Sequence, residues 1–439
     1  MLNTRQNRPK LWHAKCIVMG DMKLRIAYLV SRYPAISHTF ILREVLALRR
    51  RGFEIHTASI NPPNCAPEGL TDEELHEVET TFYIKSVAVP RILAALLGQM
   101  FLSPLRFFAG FLYALRIAGS DLRAMLFSVF YFGEAVLLSA WMRRKGLSHV
   151  HVHFATPAAT VALIATRIAK IEFSVTVHGP DEFYEAGRYQ LAEKLRRAQF
   201  VCAIGQYCRS QLMKLSAQEH WHKFEISPLG VDPEVFSPVQ HKRVAGQFRI
   251  LCVGRLVSAK GQAILLEAVS QLLRNRQNVF LTLVGDGPDR AGLERFASGL
   301  GIAAHVRFAG SVNQDSIRLL YGQSDAFVLP SFAEGIPVVL MEAMAMGIPC
   351  ISTTITGIPE LIVSGREGIL VPPSDVALLA GAIMLLNDAP ALAARIAARG
   401  RDKVHRAYNL DTNIDKLAAI FQRRLNTLNP APLHTKVIA

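Results

Sequence analysis

The strongest constraint on this chain is a pattern repeated through its second half. A short apolar run is followed by a glycine-bearing or polar turn and then by helical sequence. Phe248–Val253 leads into Gly254, Val279–Val284 into Gly285, and His305–Ala309 into Gly310. Asp325–Pro330 runs into a loop and a helix, and Pro349–Ser352 and Gly368–Val371 follow before helical sequence from Val376 to the end. Short apolar runs without alternation suit strands buried on both faces, hence a parallel sheet covered by helices. The first half opens in the same way. It predicts a strand at Lys23–Val30, a helix at Thr39–Arg51 with Thr39 as N-cap and a stop at Gly52, then a strand at Phe53–Ile60. Strands are also expected at Ser148–Phe154, Phe173–Gly179 and Phe200–Ile204, with an exposed loop over 61–80. Turn-rich and polar sequence at 226–245 divides the chain into two α/β domains, 22–240 and 241–439, joined by a hinge. A ligand belongs in the cleft between them.

Composition narrows the classes of partner. With 51% hydrophobic and 19% charged residues, the chain is a folded protein rather than a disordered one. The net charge of +14 lies mainly in the first half, where residues 1–230 hold 28 Lys and Arg against 18 Asp and Glu. Nucleic acid and an anionic membrane surface are the partners such an excess suits. No nucleic-acid module is recognisable, which favours the membrane. Residues 88–147 sharpen this, because Leu, Ala and Phe are interleaved there with Arg91, Arg106, Arg116, Arg123, Arg143, Arg144 and Lys145. Pro104, Arg116 and Asp121 are expected to keep every apolar span below the ~20 residues of a transmembrane helix. The segment reads either as interfacial amphipathic helices or as core helices whose arginines reach water. The six cysteines show no Cys-x2-Cys spacing, which points to free thiols in a reducing compartment. The basic, polar N-terminus lacks a signal-peptide core, so residues 1–21 read as a disordered leader or a start misplaced upstream of Met22.

Chemistry gathers at the ends of the proposed strands, the crevice edge of an open sheet. Glu334 and Glu342 lie eight positions apart across a loop-to-helix junction, one at the helix mouth and one lower on its wall. Gly335 is expected to permit an unusual backbone angle and Pro337 to occupy the first helical position. The free N–H groups of Ile336, Val338 and Val339 open between the carboxylates, suited to anions or sugar hydroxyls. The plainer reading is a solvated Glu and a capping Glu. Arg255 and Lys260 on a glycine-flanked loop suit a diphosphate, or else a solvated loop. Gly285 and Gly287 would let backbone approach a phosphate or ribose, but Arg290 breaks a dinucleotide fingerprint. His178 ends a strand, either as a ligand group or as a structural histidine. His149, His151 and His153 share one strand face, yet show no carboxylate partner, so no metal is expected.

Together these residues resemble the large retaining glycosyltransferase family 4, which has the GT-B fold of two Rossmann-like parallel-sheet domains facing a cleft. Gly254-Arg255…Lys260-Gly261, Gly285-Asp-Gly-Pro288, Glu334-Gly-Ile-Pro…Glu342 with Ala343 to Pro349, and Ile358-Pro-Glu360 with Gly368 and Pro372 carry the likeness. Through Tyr33 to Phe40 and His153-Phe-Ala155, the first half looks most like bacterial exopolysaccharide enzymes of the colanic-acid type. It departs from the family in having Tyr33-Pro34 and Ser37 where a Gly-Gly loop is common, and Thr356-Gly357 where a Gly-Gly often precedes the Pro-Glu.

The resemblance implies roles. Arg255 and Lys260 would hold the donor diphosphate, and Glu342 the ribose hydroxyls. Gly285, Gly287 and Val312 would border the nucleotide. Glu334 and the N–H groups of Gly335, Ile336, Val338 and Val339 would bind the sugar, with His178 opposite, near the reacting carbon. The last helix would cross back onto the first domain. The expected activity is a retaining transfer without metal or cofactor, from a UDP- or GDP-sugar to a lipid-linked oligosaccharide or similar glycan. The enzyme would be cytoplasmic and peripheral on an anionic membrane. The alternatives are a nucleotide-sugar epimerase of similar design and a non-catalytic nucleotide-binding membrane scaffold.

Overall fold

The computed structural model describes residues 24–35, 38–63, 70–238 and 246–426. The leader, the start at Met22, Cys16, Cys65, Ser37 and the boundary at 240 lie outside them. Seven parallel strands form the first sheet: β1 (Arg25–Arg32), β2 (Glu54–Asn61), β3 (Phe82–Tyr83), β4 (His149–His153), β5 (Glu172–Val177), β6 (Val201–Ala203) and β7 (Phe224–Ile226). Their spatial order is β3-β2-β1-β4-β5-β6-β7. The second sheet holds β8 (Phe248–Val253), β9 (Val279–Val284), β10 (Val306–Gly310), β11 (Ala326–Leu329), β12 (Cys350–Thr353) and β13 (Ile369–Val371), in the order β10-β9-β8-β11-β12-β13. Each sheet reverses its strand order once, between β1 and β4 and between β8 and β11. Loops leaving such neighbouring strands diverge to opposite faces and open a crevice at their C-terminal ends.

Two local expectations are corrected, and two short strands are added. Residues 72–80 form a helix, Asp72–Thr80, rather than a loop; Thr71 accepts from the Glu74 N–H and Glu74 accepts from the Thr71 N–H, a capping box legible in the sequence. The helix Thr39–Arg50 starts after His38, which makes no side-chain cap, so Thr39 is its first residue rather than its N-cap. β3 and β7, of two and three residues, are too short for a periodic signal.

The 88–147 segment forms three helices, Val89–Leu102, Pro104–Ala118 and Leu122–Lys145. The segment divides into a part packed in the core and a part whose apolar side chains are exposed. Phe132, Ala135, Val136, Leu138, Trp141 and Met142 are buried in the core over the first sheet. Leu97, Phe101, Leu105, Leu112, Leu122 and Phe130 are exposed. One expectation fails: Leu122–Lys145, at 24 residues, is long and apolar enough to cross a membrane. Its apolarity serves packing, since 56% of its most apolar window is buried inside the protein.

The final helix, Leu410–Asn426, returns to the first sheet, where Phe421 is fully buried against Tyr28, Phe53, His151 and Phe200. His149 lies in this layer with a stacked Phe200 ring at 5.8 Å. Its Nδ1 is buried without a partner, and burial pushes the imidazole down to about 3. An unfolded histidine titrates near 6.5. Because the folded value is the lower one, this stability is complete above the unfolded value and is lost as pH falls towards the folded one. Replacing His149 with Phe should therefore flatten the pH dependence of unfolding free energy between pH 6 and 5 by about 1 kcal/mol, measured by chemical denaturation. Equal slopes would mean that folded His149 already carries a proton.

Candidate active site

The β11 strand ends at Leu329, and the chain turns through Ser331 and Glu334 before the helix Val338–Ala345. Glu334 is buried, 6% exposed, which a carboxylate tolerates only when paired. Lys260 Nζ donates to its Oε1 at 2.6 Å and Ser331 Oγ to the same oxygen at 2.7 Å. Thr356 Oγ1 donates to the Glu334 carbonyl. The two ends of the expected site, Lys260 after β8 and Glu334 after β11, therefore meet at the switch point. Arg255 lies exposed on the same β8 loop. Pro337 is the helix N-cap, one position earlier than expected.

Glu342 is placed differently from a free carboxylate on the wall. It is 7% exposed, accepts from Arg43 Nη1 of the first domain at 3.2 Å, and accepts from Tyr321 OH at 3.3 Å. Burial pushes its carboxyl up, against the pull of Arg43. A ribose reaching Glu342 would have to share it with Arg43.

The glycines serve close packing. A Cβ on Gly335 would lie 2.0 Å from the His178 carbonyl oxygen, so this glycine is required by an approach between the domains and not by an unusual φ. Gly285, at φ 127°, does need glycine conformation, and its Cβ would also meet the Gly254 oxygen at 2.1 Å. A Cβ on Gly287 would meet the Leu256 oxygen at 2.2 Å. These two glycines bring the β8 and β9 loops together. Val312, half-buried, follows β10, whose Gly310 carbonyl accepts from the Gly285 N–H at 2.8 Å.

The facing wall is built after β4 and β5. His178 follows β5, and its Nε2 lies 3.1 Å from His153 Nδ1. Phe154 and Phe40 flank the ring at 4.3 and 5.1 Å. Burial, with His153 and His38 beside it, holds the imidazole well below its usual value. Glu182 fixes the backbone: its carboxylate accepts from the N–H groups of Ala155, His178 (2.6 Å) and Gly179 (3.0 Å). Lys194 Nζ donates to the Ala155 and Thr156 carbonyls at 2.7 and 3.0 Å. Burial moves Glu182 up to about 7 and Lys194 down to about 7. Glu360 ties the domains once more, accepting from the Gln206 and Tyr207 N–H groups at 2.8 and 2.6 Å. These open the helix Gln206–Lys214, whose first N–H groups need acceptors.

Sequence reasoning missed Ser331, only three residues from Glu334, and also Thr356, Glu182, Lys194 and Arg43, whose contacts reach segments 22 to 299 residues away. It also found no carboxylate for the histidine strand. The fold supplies Glu44, whose ligand-type atoms lie within 4.8 Å of those of His151 and His153. All three side chains are hydrogen-bonded within the protein: His151 holds Ser174 Oγ and Thr176 Oγ1, both at 2.8 Å.

Two family models cover this architecture. Glycosyltransferase Family 4 matches residues 37–235 and Glycosyl transferases group 1 matches 236–403. A putative colanic acid biosynthesis glycosyltransferase of Escherichia coli K12, WcaL, is 24% identical over 425 residues, covering 91% of this chain and all of that one. A GDP-mannose-dependent alpha-(1-6)-phosphatidylinositol monomannoside mannosyltransferase of Mycobacterium tuberculosis H37Rv is 30% identical over 283 residues, 60% of this chain and 73% of that one. The crystal structure of Anabaena HepE in complex with UDP-glucose superposes with a TM-score of 0.69 at 18% identity, over 91% of this chain and all of that one. With both domains matched in order around one cleft, the chain belongs to the group 1 and family 4 glycosyltransferases of the GT-B fold.

Proposed function

We propose that this enzyme moves a sugar from a nucleotide-diphosphate sugar to a glycan acceptor in exopolysaccharide synthesis, with retention at the anomeric carbon. The observation that carries this reading is the meeting of the Lys260–Glu334 pair with the His178 turn across the cleft, Gly335 lying against the His178 carbonyl. Arg255 and Lys260 bind the diphosphate and stabilise charge as the sugar C1–O bond breaks. Glu334 and the N–H groups of Gly335, Ile336, Val338 and Val339 hold the sugar hydroxyls, and Glu342 borders the ribose. Gly285, Gly287 and Val312 form the nucleotide side of the cleft. The acceptor hydroxyl attacks C1 from the face the diphosphate leaves, and its proton passes to the departing phosphate oxygen. A double displacement would place two carboxylates ~5 Å apart across the bond, whereas Glu334 and Glu342 share one wall. Relatives named for GDP-mannose and a neighbour holding UDP-glucose support a nucleotide-sugar donor of either base. No metal or cofactor enters this mechanism.

The test is product analysis with donor and a lipid-extract acceptor. The α- or β-configuration of the donor should persist in the product; inversion, or epimerised donor without acceptor, would overturn the reading.

The proposal extends to a lipid-linked acceptor and a peripheral site on the inner membrane face, a reading that the exposed helices support. Phe101 is 78% and Leu105 86% exposed at the 117° bend between Val89–Leu102 and Pro104–Ala118. Arg91, Arg106, Arg116 and Arg123 are exposed along the same three helices. Apolar residues seated below headgroups, with arginines at the anionic surface, are the arrangement of interfacial helices. A Phe101→Glu, Leu105→Glu variant should bind anionic vesicles about tenfold more weakly, measured by co-sedimentation. Equally poor wild-type binding to anionic and neutral vesicles would remove the membrane from the account.

A further inference from the structure

The buried polar chain behind His178 has no part in the scheme above. Glu44, on the helix Thr39–Arg50, is 6% exposed and turns its carboxylate into the first domain. Its Oε1 accepts from Tyr28 OH at 2.9 Å and lies 3.1 Å from His153 Nε2. His153, fully buried, touches His178 through its other ring nitrogen at 3.1 Å. The chain Tyr28–Glu44–His153–His178 thus runs from the core to the cleft.

Proton placement along it follows from donor and acceptor types. A carboxylate only accepts, so Nε2 of His153 carries the hydrogen. In the neutral ring Nδ1 is then the acceptor, and the hydrogen between the two rings sits on His178 Nε2. That leaves Nδ1 of His178 as a lone pair. His149 and His151 make the contrast. Their partners, Ser174 and Thr176, are hydroxyls that donate or accept equally, so they select no tautomer. Only the branch that reaches the cleft ends on a carboxylate. Around His178 stand His38 and His153, the Glu182 carboxylate on its backbone N–H, and Arg255 beyond His38. Burial keeps His38 and His178 neutral, with His38 held at about 4.

We propose that Glu44 and His153 are positioning residues that lock His178 in its Nε2–H tautomer, so that its Nδ1 accepts a hydrogen bond from a hydroxyl of the donor sugar. The assignment rests on the proposed function and on His178 facing the sugar there, the place the family resemblance gives it. It extends that reading to two residues that touch neither substrate, and it predicts which atom of His178 does the work. Orientation of an imidazole by a carboxylate through its other ring nitrogen is how such rings are held in a working tautomer elsewhere.

The experiment is nitrogen NMR of the full chain, labelled with 15N only at histidine, His178 being assigned by the signal lost in His178→Asn. In the wild type without substrate, the proton is expected on Nε2 of His178; a proton on Nδ1 overturns the proposal. Glu44→Leu should lose this preference and lower kcat by about 10- to 100-fold, the scale of orienting partners, with nucleotide affinity unchanged. Glu44→Gln, whose carbonyl oxygen still accepts from His153, should restore most of kcat. An unchanged tautomer and kcat in Glu44→Leu, or equal losses in both variants, would contradict the assignment. If Glu44→Leu does not fold, the wild-type tautomer still decides. The tautomer is read without turnover, so failure of the glycosyl-transfer reading and failure of this one give different results.

Discussion

Glu334→Ala is expected to lower sugar transfer by about 10²- to 10³-fold, the range for losing one fixed transition-state contact. Nucleotide affinity should fall only modestly. The carboxylate is buried and held by Lys260 and Ser331, so its position is set before any donor arrives. On the proposed mechanism, removing it takes away the contact to the sugar and leaves Lys260, whose side chain is 25% exposed, free to serve the diphosphate. The expected signature is a loss in kcat with nucleotide binding retained, measured by transfer assays and by calorimetry with the free nucleoside diphosphate. Wild-type turnover in this variant would remove Glu334 from the site.

Gly335→Ala should be nearly as damaging for a different reason. The added methyl would sit 2.0 Å from the His178 oxygen and 2.9 Å from Ile204 Cδ1, so the two loops must part. A misplacement on this scale costs about 100-fold in rate when the catalytic groups come from both sides of a cleft. Nucleotide binding to the second domain should persist, because the β8 and β9 loops are untouched. Gly292→Ala is the control. It lies in the helix Arg290–Gly299, and its Cβ would meet nothing within 4 Å. There the change should be neutral or raise stability by roughly 0.4–1 kcal/mol, read from the melting temperature. Equal activity losses in the two variants would mean that Gly335 is not special.

The sheet strands of the second domain were legible because each is a continuous apolar run with a glycine or polar turn at its end. The same pattern located Glu334, Lys260 and His178, since strand ends at a switch point collect ligands whatever their chemistry. Local periodicity does not encode pairings between distant segments. Arg43 on Glu342, Glu360 on the Gln206–Lys214 helix and Glu44 behind His153 join positions 299, 154 and 109 residues apart. For the same reason, the need for glycine at 335 looked like a backbone-angle requirement, whereas it is a steric one imposed by the opposite domain. The 88–147 helices gave an ambiguous sequence signal because the segment has two environments, a mostly buried core half from Phe132 onward and a largely exposed apolar half before it.

The most direct test of the donor site is thermal stabilisation of the wild type and Lys260→Ala against a panel of nucleoside diphosphates and their sugar esters. Ligands that bind only the folded state raise the melting temperature by mass action. A selective rise with one base, clearly smaller in Lys260→Ala, is the expected result and would identify the nucleotide. No rise with any of them, in a wild-type protein that melts cooperatively, would contradict a donor site between Lys260 and Glu334.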